Sequence, residues 1–380
     1  MTTVPTSPPI ARFTAAVPFW MSLGLVPVAL VAAAYGGWAL LLLPLSTWYL
    51  FTILDYFTGL NEDNADPLTP DDQLYWYRMI TLVWPPVQII TIFGIMAWVL
   101  SSGHLSWLEE WTLFAFLGIL SGTVGINYSH ELMHQRPKLE RWLADLLLAS
   151  VLYSHFRSEH LLVHHRYVAT PKDPVTARYN EHFWRFFPRV LKESYVSAFN
   201  AEKAMLARKG RPWTDLSNPF FRYWGLQLAF VVLAFVIGGT WGVFLFAVQS
   251  FWAIFQLELV NYVEHYGLTR KHLGDGKYEH VQPHHSWNAA HKASNWLLIN
   301  LQRHSDHHYK PDRRFPLLQT YDDDEAPQLP HSYTLMTMCA LSPRLWRRVM
   351  NPRVDAWRTR YYPEIEDWQP YKQGTNPQPR

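Results

Sequence analysis

Three long stretches of the chain contain no Lys or Arg: 13–77, 79–135 and 223–269. Each is long enough for one or two membrane helices at about 20 apolar residues per span. The first holds two apolar runs, near 17–35 and 38–57. The second holds 79–100 and roughly 107–129, and the third about 220–238 and 241–262. Six spans in three hairpins is the simplest reading. The tips joining paired runs are short and carry no basic residue: Gly36-Gly37, "SSGHLS" at 101–106 and "GGT" at 238–240. Arg12, Arg78, the 136–222 segment and the residues after 270 lie at the opposite ends. Basic residues accumulate on the cytoplasmic side of a membrane protein, so both termini and both long polar segments are expected there. The apolar stretch 142–153 is too short to cross and reads as a helix lying at the interface.

This pattern predicts an all-α integral membrane protein of six transmembrane helices with a cytoplasmic helical cap. The expected plan is a disordered N-terminus over 1–16 and four spans within 17–129. A cytoplasmic segment over 130–219, two spans within 220–262, a second cytoplasmic segment over 263–350 and a tail over 351–380 follow. The first span has no basic region before it and reads as an anchor, not a cleavable signal.

Composition refines the picture. The mean hydropathy of −0.11 would suit a soluble helical protein. A soluble core would not avoid Lys and Arg over 65 successive residues, however, and charged residues make up only 17 % of the 380. A net charge of +2 makes no case for nucleic-acid binding. The single cysteine, Cys339, excludes a disulfide framework, a four-cysteine iron site and an iron–sulfur cluster within this chain.

The chain has 18 histidines, and their spacing is informative. "HELMH" places His130 and His134 one helical turn apart at the end of the fourth run. "EHLLVHH" brings His160 and His164, which share a face of an α-helix, with His165 turned away from them. His265 ends the sixth run, in "NYVEHYGL". "LQRHSDHH" holds His304, His307 and His308. All four sets fall on the expected cytoplasmic side. Nine neutral imidazoles exceed what one ion accepts, so two ions sharing them as four and five are expected. Imidazole without thiolate suits iron, zinc or copper. Glu131, Glu159, Glu264 and Asp306 flank these histidines and are candidates to orient the rings.

H-E-x-x-H is also a zinc-protease pattern, with Glu131 as base. That reading leaves seven histidines without a role. Glu131 and His134 also match the E-x-x-H of soluble di-iron bundles, where glutamates dominate the site. A metal transporter would place its ligands at mid-membrane, whereas these histidines lie outside the expected spans.

Taken together, "HELMH", "EHLLVHH", "NYVEHYGL" and "LQRHSDHH" resemble the integral-membrane alkane 1-monooxygenases of the membrane fatty-acid desaturase/hydroxylase superfamily. The resemblance covers roughly 15–345. Val163 stands where the family motif usually has Gly, and Gln135 where Lys is common. The resemblance implies a non-haem di-iron monooxygenase that uses O2 to convert medium-chain n-alkanes to 1-alkanols. It implies iron ligation by His130, His134, His160, His164, His165, His265, His304, His307 and His308. It implies electrons from rubredoxin, supplied by an NADH-dependent reductase, and a place in the bacterial inner membrane among membrane lipid. Basic residues in 136–222 and 303–348 would offer an acidic rubredoxin a docking surface. The tail "KQGTNPQPR" reads as a disordered end, or as the start of a linker to a fused rubredoxin. Trp48 is the resemblance's candidate for a bulky stop in a substrate channel. A membrane acyl-lipid desaturase or hydroxylase with the same metal pair is the alternative.

The remaining histidines get structural or surface roles: His104, His155, His182, His272, His291 and His331. The "HVQPHH" loop at 280–285 has ligand-like spacing, but Pro283 prevents a regular helix there, and its histidines are expected at the surface. Asp55 and "NEDNADP" at 61–67 read as a supporting polar cluster at the membrane edge.

Overall fold

The computed structural model describes residues 9–366 and 368, with side chains from residue 13 onward. The chain is predominantly helical. Among the described residues, five stretches are long and apolar enough to cross a membrane. They are Phe13–Tyr35, Gly37–Thr58, Asp71–Ser102, Trp107–His134 and Pro219–His265. The last has 47 residues and is broken at Gly238 (φ −136°, ψ 17°) and Gly239 (φ 59°, ψ −147°), so it comprises two helical arms. Gly239 supplies the positive φ that a side chain would resist. The other tips follow the same chemistry: Gly36 and Gly37 take φ 56° and 52°, and Gly103 takes φ 60°. Ser106 and Glu109 form a reciprocal cap at the start of Trp107–His134. Glu109 Oε1 also accepts from Gly37 N at 2.8 Å, tying two tips together.

Trp107–His134 lies at the centre. It packs against the second arm of Pro219–His265 at Gly118 and Gly122. A Cβ at Gly122 would sit 2.5 Å from the carbonyl oxygen of Ala253, and one at Gly118 would collide with the carbonyl of Gln249. Small residues four apart let two membrane helices approach to backbone contact. The helix widens to a π-turn over Ser121–Ile126, just before its histidines. Such bulges collect at functional sites.

One apolar core, including Trp84, Phe114 and Phe246, fills the space between the spans. A second, including Tyr262, Trp287 and Trp346, lies under the polar cap. The cap is largely helical. The interface helix spans Lys138–Ala149, beginning four residues earlier than its apolar run suggested, directly after the extended Pro137. A 26-residue helix, Phe183–Arg208, crosses the polar segment.

Three expectations need correction. The cap is not all-α: strands His272–Gly274 and Lys277–Tyr278 form a small antiparallel hairpin, with Gly274 and Gly276 at positive φ. Helix occupies Pro9–Ala16, part of the stretch 1–16 expected to be disordered, while residues 1–8 lie outside the described residues. Residues 351–361 belong to the helix Pro343–Tyr361 and not to a tail, because Trp346, Met350, Val354 and Trp357 bury one face against the cap. The "KQGTNPQPR" segment lies outside the described residues.

Candidate metal centre

Four separate pieces of backbone deliver the histidines. His130 and His134 come from the last turns of Trp107–His134, and His265 from the end of Pro219–His265. His160, His164 and His165 come from a short helical segment beginning at Phe156. His304, His307 and His308 come from the six-residue helix His304–Tyr309.

They converge as two groups. His130, His134, His160, His165 and His307 form one, and His164, His265, His304 and His308 the other. Within each group one ligand nitrogen per residue lies within 4.8 Å of all the others. In the first group, Nε2 of His160 lies 3.0 Å from that of His134, and Nε2 of His165 lies 2.9 Å from that of His160. In the second, Nε2 of His308 lies 3.0 Å from that of His304 and 3.2 Å from that of His164.

A hydrogen-bond network does not account for this. A neutral imidazole has one N–H, and three mutually facing ring nitrogens cannot each find a donor. Nitrogens about 2.0–2.1 Å from a shared ion would lie roughly 2.9–3.4 Å apart along the edges of its coordination polyhedron. The observed separations fall in that range, so the donor set fits two ions.

The partition differs from the helical-wheel expectation. His160 and His164 do not share a group. The chain makes a π-turn over His160–His164, in which the N–H of His165 reaches back to the carbonyl of His160. This one-residue slip brings His160 and His165 together and turns His164 to the other group.

The carboxylates sort unequally. Glu264 Oε1 lies 3.4 Å from His304 Nδ1, a contact without hydrogen-bond alignment. Glu131 accepts from Gln135 Nε2 at 3.0 Å, the residue that replaces the common Lys. Asp306 is buried and bonds Arg313, Gln319 N and Tyr321, not a ring, so it braces the loop that follows. Glu159 is fully buried with both oxygens unpartnered. Burial, with Asp173 and Glu258 nearby, pushes its pKa well above the usual carboxylate range.

Two residues with direct structural roles escaped the sequence reading. Asp173 Oδ2 lies 3.0 Å from His164 Nδ1 and accepts from Thr176 Oγ1 at 2.7 Å, while Oδ1 accepts from Val175 N. The signal was "KDPVT", an aspartate before a turn-forming proline. Asn288 Oδ1 accepts from Ser305 N at 2.8 Å and anchors the His304–Tyr309 helix at its start. Asn288 follows the "HVQPHH" loop, whose Pro283 carbonyl accepts from Ser305 Oγ. The loop therefore supports the site without joining either group.

His285 in that loop is fully buried, contrary to the surface role expected. Its Nδ1 accepts from Gln282 N and its Nε2 meets Tyr362 at 2.8 Å. His155 is buried too, against Tyr153 and Tyr195. The 61–67 loop has a defined supporting role. Asn61 and Asp63 carbonyls accept from Arg303, immediately before His304. Asp55 holds Ser294 through its backbone N–H and hydroxyl.

Burial holds the rings neutral. His160, His165, His304, His307 and His308 all have pKa values well below the ordinary 6.5, first through desolvation and then through neighbouring imidazoles. Neutral rings keep the lone pairs that ligation needs.

Two cavities reach the histidines from different directions. A narrow apolar one, about 40 Å3, runs from Trp48 past Phe156 and Leu298 to His130, His160 and His304. A wide polar one, about 480 Å3, opens at His134 and Gln135 and is lined by Arg136, Lys310, Arg313 and Arg314.

Residues 105–340 match the family pattern described as fatty acid desaturase. The chain is 37 % identical over 324 residues to alkane 1-monooxygenase 2 of Alcanivorax borkumensis, covering 82 % of this chain and 83 % of the relative. It is 36 % identical to alkane 1-monooxygenase 2 of Pseudomonas aeruginosa, covering 85 % and 92 %. A xylene/toluene monooxygenase hydroxylase component of Pseudomonas putida is 29 % identical, covering 72 % and 73 %.

Proposed function

We propose, from the premise that this chain belongs to the alkane 1-monooxygenases of the fatty acid desaturase family, that it hydroxylates the terminal methyl of medium-chain n-alkanes. The chain is an integral-membrane oxidoreductase of the monooxygenase type with a non-haem di-metal site. The balanced reaction takes R–CH3, O2, two electrons and two protons to R–CH2OH and water. One observation carries the reading: nine ring nitrogens converge in two groups, and three of the rings, His130, His160 and His304, line an apolar cavity among the spans.

The metal pair is assigned as iron. His130, His134, His160, His165 and His307 would hold one iron, and His164, His265, His304 and His308 the other. Bound there, the pair supplies the O2 activation that an unactivated C–H bond demands. The protein's part is orientation and exclusion. Asp173 fixes the tautomer and tilt of His164. The cavity past Trp48, Phe156 and Leu298 offers a mostly apolar surface to a chain entering from lipid, so its methyl is the first atom to meet the histidines. The empty cavity holds no more than a few waters, so the chain must displace side chains to enter. Trp48 is assigned as the stop on chain length, and Trp48→Ser is expected to shift the product profile toward longer alkanols by gas chromatography.

Electrons are assigned to an acidic rubredoxin, fed by its NADH-dependent reductase and docking over the basic opening at His134. Six spans, with both arms of Pro219–His265 crossing, would put that opening and the termini in the cytoplasm of a bacterial inner membrane. The test is a product assay. Iron-loaded protein, rubredoxin, its reductase, NADH, 18O2 and a series of n-alkanes should yield 18O-labelled 1-alkanols. Oxidation of acyl lipids with alkanes left inert would replace this reading by that of a desaturase or lipid hydroxylase.

A further inference from the structure

We propose that a basic pocket beside the start of the Pro219–His265 span binds the phosphate of an anionic phospholipid, with an acyl chain laid along the helix below it. The pocket, about 170 Å3, is lined by Lys138, Arg141, Trp142, Asp145, Arg157 and Arg222. It shares no lining residue with either histidine group or with the two cavities that reach them.

Asp145 is its one carboxylate, and two cations already share it. Arg157 Nη1 reaches its oxygens at 2.6 and 2.7 Å, and Arg222 Nε lies 3.0 Å from Oδ2. Lys138 and Arg141 have no ion-pair partner among the described residues. The pocket therefore presents uncompensated positive charge around a fixed, partly buried pair of guanidiniums. A phosphodiester answers that charge. A zwitterionic headgroup adds a cation to a site already in excess.

Placement selects a lipid over a soluble anion. Arg222 sits in the first turn of a membrane-crossing helix, with its guanidinium 5.2 Å from the Trp142 ring centroid. Trp142 and Leu139 are exposed on the interface helix. Below Arg222, Gly225, Ala229, Val232 and Val236 recur at helical spacing on the same face, and all are exposed. Nothing lies within 4 Å of where a Gly225 Cβ would stand. This face is thus open apolar surface leading from the cations along the helix, and an acyl chain can lie on it. Basic pockets at membrane helices on the positively charged side are where anionic headgroups bind.

The test uses the full-length protein, delipidated in detergent. Phosphatidylglycerol, phosphatidylcholine with the same acyl chains and inorganic phosphate are titrated separately. Bound lipid is read by native mass spectrometry and Tm by thermal unfolding. Phosphatidylglycerol should bind selectively and raise Tm. The double variant Lys138→Gln/Arg141→Gln should keep the lipid-free Tm, because neither side chain is paired. Its affinity for phosphatidylglycerol should fall about thirtyfold, two basic residues each contributing as they do beside an anionic surface. Lys203→Gln/Lys209→Gln, which removes two exposed cations elsewhere on the same side, should leave the selectivity intact. Equal binding of the two lipids, an equal shift with inorganic phosphate or unchanged selectivity in the Lys138/Arg141 variant would overturn the proposal.

Discussion

Asp173 does for one histidine what no other carboxylate among the described residues does for any of the nine: it makes an aligned contact with the ring's second nitrogen. A partner of this kind fixes the tautomer and raises ligand basicity, and its loss typically costs 10–100-fold in metal affinity or activity. Asp173→Asn is expected to lower iron retention or turnover by about that factor while keeping the fold. Metal analysis alongside circular dichroism checks both halves. Wild-type iron content and turnover in that variant would show that Asp173 serves only the local turn.

The buried histidines also set a pH response in the metal-free protein. Folded, His160, His165, His304, His307 and His308 titrate well below 6.5. Unfolded, they titrate near 6.5. Below about pH 6.5 the unfolded chain therefore binds more protons than the folded one, and stability falls as pH falls. Glu159, its pKa raised by burial, titrates in the opposite sense, but five rings outnumber it, so metal-free Tm should decline from about pH 6.5 to 5. A Tm that rises over the lower range would contradict the burial of these rings.

At the scale of elements, two departures from regular α-helix matter most. The π-turn over His160–His164 decides which histidines share a group, and the glycine contact decides how far apart two ligand-bearing helices stand. Gly122 lies eight residues before His130 and touches the arm that ends in His265. Gly122→Leu must push that arm outward, because the obstruction is backbone and Gln256 Cβ, not a flexible side-chain end. Overpacking of this kind costs about 1–3 kcal/mol. Tm should fall, and activity should fall further than the lost stability explains, since the two helices supply different groups. Gly94→Leu, at an open site on the Asp71–Ser102 span, is the matched control for stability.

At the scale of the molecule, two cavities divide access: an apolar one toward the spans and a basic one toward the polar side. The proposed electron delivery through the basic opening predicts a rate that falls with ionic strength, because exposed charges are screened beyond about 10 Å at 0.1 M salt. Arg136→Glu/Lys310→Glu should slow rubredoxin-dependent turnover at least tenfold at low salt and weaken its salt dependence. Alkane binding, read by substrate protection against thermal unfolding, should be unaltered. Equal salt slopes in the variant and the wild type would place docking elsewhere.

The sequence by itself located the apolar stretches and the glycine tips, and singled out the nine histidines. Those properties are local: hydropathy accumulates along a run, positive φ belongs to glycine, and ligand motifs are contiguous. Only the tertiary structure decided how the nine divide, because a π-turn shifts the backbone by one residue without an evident mark in composition. It also decided that Asp173 faces His164, that Asn288 anchors Ser305 and that His285 is buried behind Tyr362. Each of those contacts joins side chains whose meeting depends on how the cap folds back over the helix ends, and the spacing of residues along the chain carries no record of it.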